Sequence, residues 1–239
     1  MRRIYIILII LLIASISANL AYGSVAIPVA DVFRILAGLG SDNQVWQVIV
    51  VQTRVPQCVT ALLCGMALSV AGLMLQTVFS NPLAGPSILG ITTGSSLGVA
   101  VVTLLCGGVV AETLVGWTAT IVGALVGAFA VMLAILALSS VIRSNVMLLV
   151  AGMMIGYLAS SAISMLNFFA TAEGVHSFTI WGLGSFSGVS LSQLPFFAVT
   201  VLIGLFISIL LIKPLNALLL GPNYAESLGI GIRRTRFLL

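Results

Sequence analysis

Charge is what this sequence has least of. Nine of its 239 residues are Lys or Arg and five are Asp or Glu, 6% in all. A soluble globular domain carries about a quarter, so a soluble fold is excluded. His176 is the only histidine, with no second His, Cys or carboxylate at ligand spacing, which leaves no metal site to read. Cys58, Cys64 and Cys106 form no CxxC pair and sit within or at the edge of apolar runs, where they read as small packing residues. Nothing favours a nucleic-acid partner.

What the chain has instead is apolar length. It is 61% apolar, with mean hydropathy +1.29. Runs of the roughly 20 residues needed to cross a bilayer fall at Ile4 to Tyr22, Val59 to Phe79, Ile88 to Cys106, Leu114 to Ser139, Val146 to Ala170 and Leu194 to Ile212. These predict an all-α, polytopic transmembrane bundle of six spans, with a seventh beginning at Phe237. No Asp, Glu, Lys, Arg or His lies deep in any of them. Ion-coupled transporters need such groups to carry or sense protons, so the energy source is expected elsewhere.

Orientation follows from the cations, which are retained on the cytoplasmic side. With the N-terminus inside, Arg2, Arg3, Arg143, Lys213, Arg233, Arg234 and Arg236 are cytoplasmic, and only Arg34 and Arg54 lie outside. Asp31, Asp42, Glu112 and Glu173 then lie outside as well. A cleaved signal peptide, with Arg2 and Arg3 ahead of the Ile4 to Ile13 core, is the other reading of the N-terminus. It would remove the first span, whereas the rest of the pattern expects an inside start.

Small residues recur at helical spacing, at Gly90, Gly94 and Gly98, at Gly123 and Gly127, and at Gly152 and Gly156. Such stripes let helix backbones approach in lipid. Between the second and third runs, Asn81-Pro82-Leu83-Ala84-Gly85-Pro86 interrupts the apolar pattern. Pro82 and Pro86 lack N–H groups and disfavour helix in the residue before. A short re-entrant turn and a tight interhelical loop are both compatible with it, with Asn81, Pro82 and Pro86 as its structural residues.

Arg54-Val55-Pro56, Gly65-Met66-Ala67-Leu68-Ser69-Val70-Ala71-Gly72, Gln76, Asn81-Pro82-Leu83-Ala84, Pro86-Ser87-Ile88-Leu89-Gly90 and Gly94 follow one another over about 40 residues. In this order they resemble the permease subunits of iron-siderophore, haem and vitamin B12 importers, the FecCD-type ABC transporters. That family reads RxPR and then GAALAxSGxxxQxxxxNPLADPxxLGxxxG. Gln57 stands where it usually has a second Arg, and Gly85 replaces the Asp of NPLADP. Trp181 to Gly188 is similar to its WxxGSxxG segment, and Gly221 to Ile230 to its GxxxAxSLGV segment.

The resemblance implies a permease of the bacterial cytoplasmic (inner) membrane, no enzyme itself and binding no cofactor directly. ATP would be used by a cytoplasmic ATPase subunit. An extracytoplasmic binding protein would deliver an iron-siderophore, haem or cobalamin-type ligand, docking at Arg54, and a second permease subunit would complete a homodimer. A secondary transporter or channel is the alternative, and neither buried charge nor an inverted repeat supports it.

Residues 213–236 are expected to form a cytoplasmic coupling segment, with Gly221, Ala225, Glu226, Ser227, Leu228 and Gly229 matching the family. From the residues alone this is a short helical pair after Lys213-Pro214, suited equally to docking and to lying on the membrane surface. The fifth run carries four hydroxyls, at Tyr157, Ser160, Ser161 and Ser164. The resemblance makes Gly152, Gly156, Tyr157, Ser160, Ser161 and Ser164 line the translocation pathway, with Ser144, Asn145 and Val146 at the inner gate, while hydroxyls bonding back to their own helix remain the other reading. The family's subunits carry ten spans. Residues 1–239 are therefore expected to be a single but incomplete permease domain, inactive in transport alone.

Overall fold

The computed structural model describes residues 2–41, 43–105, 114–142, 144–221, 224 and 227–229. Among them the chain is helical throughout, without a strand. It divides into two compact units, Met1–Leu68 with Ser185–Ile207, and Ser69–Gly184 with Ser208–Leu239.

In the first unit, α1 (Arg2–Ala21) is apolar around its whole circumference and buries none of its residues. A helix that is hydrophobic on all sides belongs in lipid. α2 (Val29–Leu36) is amphipathic, with Val32 and Ile35 buried. With Ile27 and Val50 they form a small core on which Leu20 packs. Leu39 N–H donates to the Arg34 carbonyl and Gly38 N–H to that of Ile35 (both 3.0 Å), and Gly38 takes φ +76°, a Schellman ending for α2.

The Asn43 side chain caps α3 (Gln44–Ile49) by accepting from Val45 N–H. The helix continues through a π-turn, Val50–Arg54, into α4 (Val55–Phe79). Pro56 explains the π-turn. Within a helix it removes a donor and its ring clashes with the carbonyl four residues back, and one wider turn immediately before it relieves both. The uninterrupted Gln44–Phe79 helix has 36 residues, about 54 Å at 1.5 Å per residue, and so extends well beyond the predicted Val59 to Phe79. α9 (Leu194–Leu210) begins in the same unit.

The second unit is organised around α5 (Ile91–Leu105), which packs against α6 (Leu114–Ser139), α7 (Asn145–Phe169) and α8 (Ala172–Leu183). Glycines set these distances. A Cβ on Gly98 would strike the Gly123 carbonyl, and one on Gly127 the Gly94 carbonyl. Gly152 meets Leu89 Cα, which would lie 3.0 Å from its Cβ. Lipid offers no hydrophobic drive for helix association, so contact at backbone distance supplies the attraction instead. Phe79, Ala84, Leu89, Val131, Ile135, Leu148 and Leu149 form the core at one end of this bundle.

Four described helices are long and apolar enough to cross a membrane: Arg2–Ala21, Gln44–Phe79, Val115–Ser139 and Asn145–Phe169. The third expected span is shorter, 15 residues, because Pro86 to Gly90 is taken up by a turn. The sixth ends at Leu210 and reaches spanning length only together with α10 (Ile212–Leu219), so the break falls at Leu211, before Lys213-Pro214. Pro214 sits in the first turn of α10, where its missing N–H costs nothing. Cys106, Arg143, Arg233, Arg234, Arg236 and the seventh run at Phe237 lie outside the described residues.

Candidate functional site

The interruption between α4 and α5 is a sequence of three closed turns. At the end of α4, Asn81 N–H reaches the Gln76 carbonyl (3.0 Å) and Ser80 N–H that of Thr77 (3.2 Å), a Schellman closure. Its left-handed residue is Ser80, at φ +49°, where glycine is usual. Asn81 then starts an Asx turn: its Oδ1 accepts from Leu83 N–H at 2.9 Å and its carbonyl from Ala84 N–H at 3.1 Å. Pro82, second in that turn, has φ preset for it. From Pro86 a second closure runs to Gly90, with Ile91 N–H donating to the Pro86 carbonyl (3.2 Å) and Gly90 at φ +75°. Ala84 and Leu89 are buried. The prolines thus cap helical ends and leave few orphan carbonyls at the interruption.

The residues expected at the gate lie against this turn. The Ser144 hydroxyl caps α7, accepting from Met147 N–H at 3.4 Å. Asn145 Nδ2 donates to the Phe79 carbonyl, the last of α4, at 3.3 Å. Val146 is exposed. A cavity of about 120 Å³ opens beside Asn145, bounded by Phe79, Leu89, Ile135 and Leu148 among others, and is mainly apolar.

The residues expected to line the pathway divide between two faces of α7. Gly152 and Gly156 are buried, and a Cβ on Gly90 would lie 2.7 Å from the Gly152 carbonyl and 3.0 Å from Gly156 N. Both are therefore packing residues, set where α7 meets the Leu89–Gly90 turn that leads into α5. Tyr157, Ser160, Ser161 and Ser164 are exposed on a different face, at spacings of three and four. Ser161 donates to the Tyr157 carbonyl (3.0 Å) and Ser164 to that of Ser160 (3.1 Å). Each hydroxyl has one donor and two lone pairs. With the donors used on the helix itself, these two serines offer the exposed face acceptors only.

In the expected coupling segment, α10 buries Leu215, Ala217 and Leu218. Gly221 follows at φ +108°, Leu228 N–H donates to the Tyr224 carbonyl (3.2 Å), and Gly229 takes φ +76°. Tyr224 and Leu228 are exposed, as is Ser227. Ala225 and Glu226 lie outside the described residues.

Arg54 is 4% exposed, the one charged side chain buried among the described residues. Its Nη1 donates to the carbonyls of Leu20 (2.8 Å) and Ala21 (2.9 Å), and its Nη2 to that of Val25 (2.5 Å). Nothing in the residues themselves signalled this, apart from Pro56 two positions on, which sets the π-turn that holds the side chain inward. Among the described residues no group of three His, Cys, Asp or Glu could hold a metal ion.

Residues 7–239 match the model of the FecCD transport family. The chain is 28% identical over 236 residues to the hemin transport system permease protein HmuU of Yersinia pestis, covering 98% of this chain and 68% of that one. It is 33% identical over 193 residues to the vitamin B12 import system permease protein BtuC of Klebsiella pneumoniae, covering 81% and 56%. Among solved structures it is similar to one described as a metal-chelate type ABC transporter in an inward-facing conformation. There the TM-score is 0.76 at 28% identity, over 100% of this chain and 72% of the other.

Proposed function

This chain belongs to the FecCD transport family, a multi-pass membrane protein of the ABC permease class, and from that premise we propose how it works. It is the permease subunit of an importer in the bacterial cytoplasmic membrane. It receives an iron-chelate, haem or corrinoid ligand from an extracytoplasmic binding protein and is powered by ATP hydrolysis on a separate subunit, with a second permease copy across the pathway.

The observation that carries this reading is the exposed face of α7. Tyr157, Ser160, Ser161 and Ser164 give an exposed polar stripe along α7, and the donors of Ser161 and Ser164 are used within the helix. Such a surface wets a bulky ligand without gripping it, which suits passage better than storage. Charge bears on the energy source. Arg54, the buried charged group among the described residues, has its donors on backbone carbonyls and is no proton carrier. That supports a separate motor, for which the turn at Tyr224 to Gly229 is the proposed seat. Ser144 and Asn145, packed against the α4–α5 turn, are proposed as the inner gate.

The test is uptake into proteoliposomes that hold the permease, its ATPase and its binding protein, offered ferric siderophore, haem and cobalamin in turn. Uptake of one class that requires ATP is expected. Uptake driven by an ion gradient without the ATPase would overturn the reading.

A further inference from the structure

At the Asn145 end of the bundle the packing of the second unit is incomplete. The cavity of about 120 Å³ there lies wholly within that unit, where the last turns of α4 and α6, the start of α7 and the α4–α5 turn converge. Protein interiors hold few voids larger than a water molecule, and an empty one lowers stability in proportion to its volume. An apolar void of about 150 Å³ accommodates benzene, so this one has room for a short run of hydrocarbon.

Its walls decide what can fill it. Phe79, Leu89, Ile135 and Leu148 form a buried floor. Leu75, Val78, Ile91, Met132, Leu136 and Ile142 are half-buried around them, so the hollow reaches the surface of the unit. Ser139 and Asn145 are the polar side chains on the wall. Both donate within the protein, Ser139 Oγ to the Leu136 carbonyl (2.7 Å) and Asn145 Nδ2 to the Phe79 carbonyl (3.3 Å). Water needs two to four polar partners, and few are on offer. Met132 to Ser139 close α6, the last ~12 Å of that spanning helix at 1.5 Å per residue. The cavity therefore sits near a span end, which the charge pattern makes cytoplasmic. Hydrocarbon at that depth is the upper part of an acyl chain in the cytoplasmic leaflet.

We propose that this cavity is an acyl-chain site, in which the upper carbons of one cytoplasmic-leaflet lipid chain complete the packing of α4, α6 and α7. α1, with no buried residue, touches lipid only along its outer surface, whereas here the lipid chain has protein on three sides. The site adjoins the Asn145–Phe79 hydrogen bond, but its occupation does not depend on the importer reading.

The protein is placed in phosphatidylcholine nanodiscs. A fraction of the lipid carries a photoreactive diazirine, in the upper third or at the end of one acyl chain, and labelled residues are mapped by mass spectrometry. Label from the upper third is expected on Ile135 and Leu148, which are too buried to meet lipid that only passes the surface. Val78→Phe fills the cavity from α4 and is expected to cut that label about tenfold, since ring and lipid chain together overpack the site. Leu73→Phe, at an exposed position of the same helix, is expected to leave it unchanged, and both variants should leave the label on α1 unchanged. If Val78→Phe does not fold, Leu136→Phe fills the cavity from α6 and carries the same expectation.

Label on Ile135 and Leu148 that survives the filling variant would overturn the site. So would their staying unlabelled while α1 is labelled, which would mean that protein seals or fills the hollow. Label from the chain end in place of the upper third would overturn the assignment to the upper carbons. A free alkyl diazirine that labels these residues where the lipid does not would make the occupant a soluble hydrophobe and overturn the acyl-chain assignment.

Discussion

Replacing Gly98 with alanine puts a methyl group against the Gly123 carbonyl, well inside van der Waals contact. The obstacle is backbone, so no side chain can rotate away. α5 and α6 would have to part by about 1 Å along a seam packed at the density of a protein interior. Overpacking of this kind costs about 1–3 kcal/mol, against a gain of about 1 kcal/mol for exchanging Gly for Ala in a helix. Gly72, in α4 of the same unit, is the control, since nothing lies within 4 Å of a Cβ placed there. Gly72→Ala should therefore be neutral or stabilising by up to about 1 kcal/mol, and Gly98→Ala neutral to destabilising by about 2 kcal/mol. The two should differ by about 1–3 kcal/mol. Reversible SDS titration in mixed micelles, followed by tryptophan fluorescence, measures both. Two variants of equal stability within about 0.5 kcal/mol would refute the backbone-contact account of the seam.

Three further outcomes follow from the site. Ser80→Gly should raise stability by about 0.5–1 kcal/mol in the same titration, because it removes a side chain from φ +49°; a destabilised variant would mean the hydroxyl has a role the turn does not reveal. Asn145→Ala should cost about 1 kcal/mol by stripping the Phe79 carbonyl of its donor, again read by titration. Ser161→Leu with Ser164→Leu should cut ATP-dependent uptake by the assembled importer while stability stays within about 0.5 kcal/mol, whereas unchanged uptake would remove α7 from the pathway.

Much of this was legible in the residues, for physical reasons that also mark where legibility stopped. Apolar runs announce membrane helices because each must satisfy its own backbone in lipid, and the helices α1, α4, α6 and α7 follow from that alone. Their ends do not. The second run was expected from Val59, yet a π-turn ahead of Pro56 carries the helix back to Gln44. The glycine stripes were visible as spacing, but whether a given glycine faces a neighbour depends on how the helices are rotated. Hence Gly152 and Gly156 pack on the Leu89–Gly90 turn, away from the exposed hydroxyls with which they had been grouped. Ser80 gave no sign of its left-handed backbone, since glycine or asparagine is the usual marker there. Arg54 was conspicuous in the motif, but burial of a cation against three carbonyls depends on a chain segment some 30 residues earlier, which no local pattern encodes.

The claim on which the account turns is that the motor is a separate subunit seated on the segment around Tyr224 to Gly229. Co-elution of the tagged chain with the importer's ATPase subunit on size exclusion tests it directly, with Leu228→Arg run alongside because Leu228 is exposed on that turn. The account predicts a complex of chain and ATPase that Leu228→Arg dissociates. A chain that elutes alone beside folded ATPase, or a complex indifferent to Leu228→Arg, would contradict it.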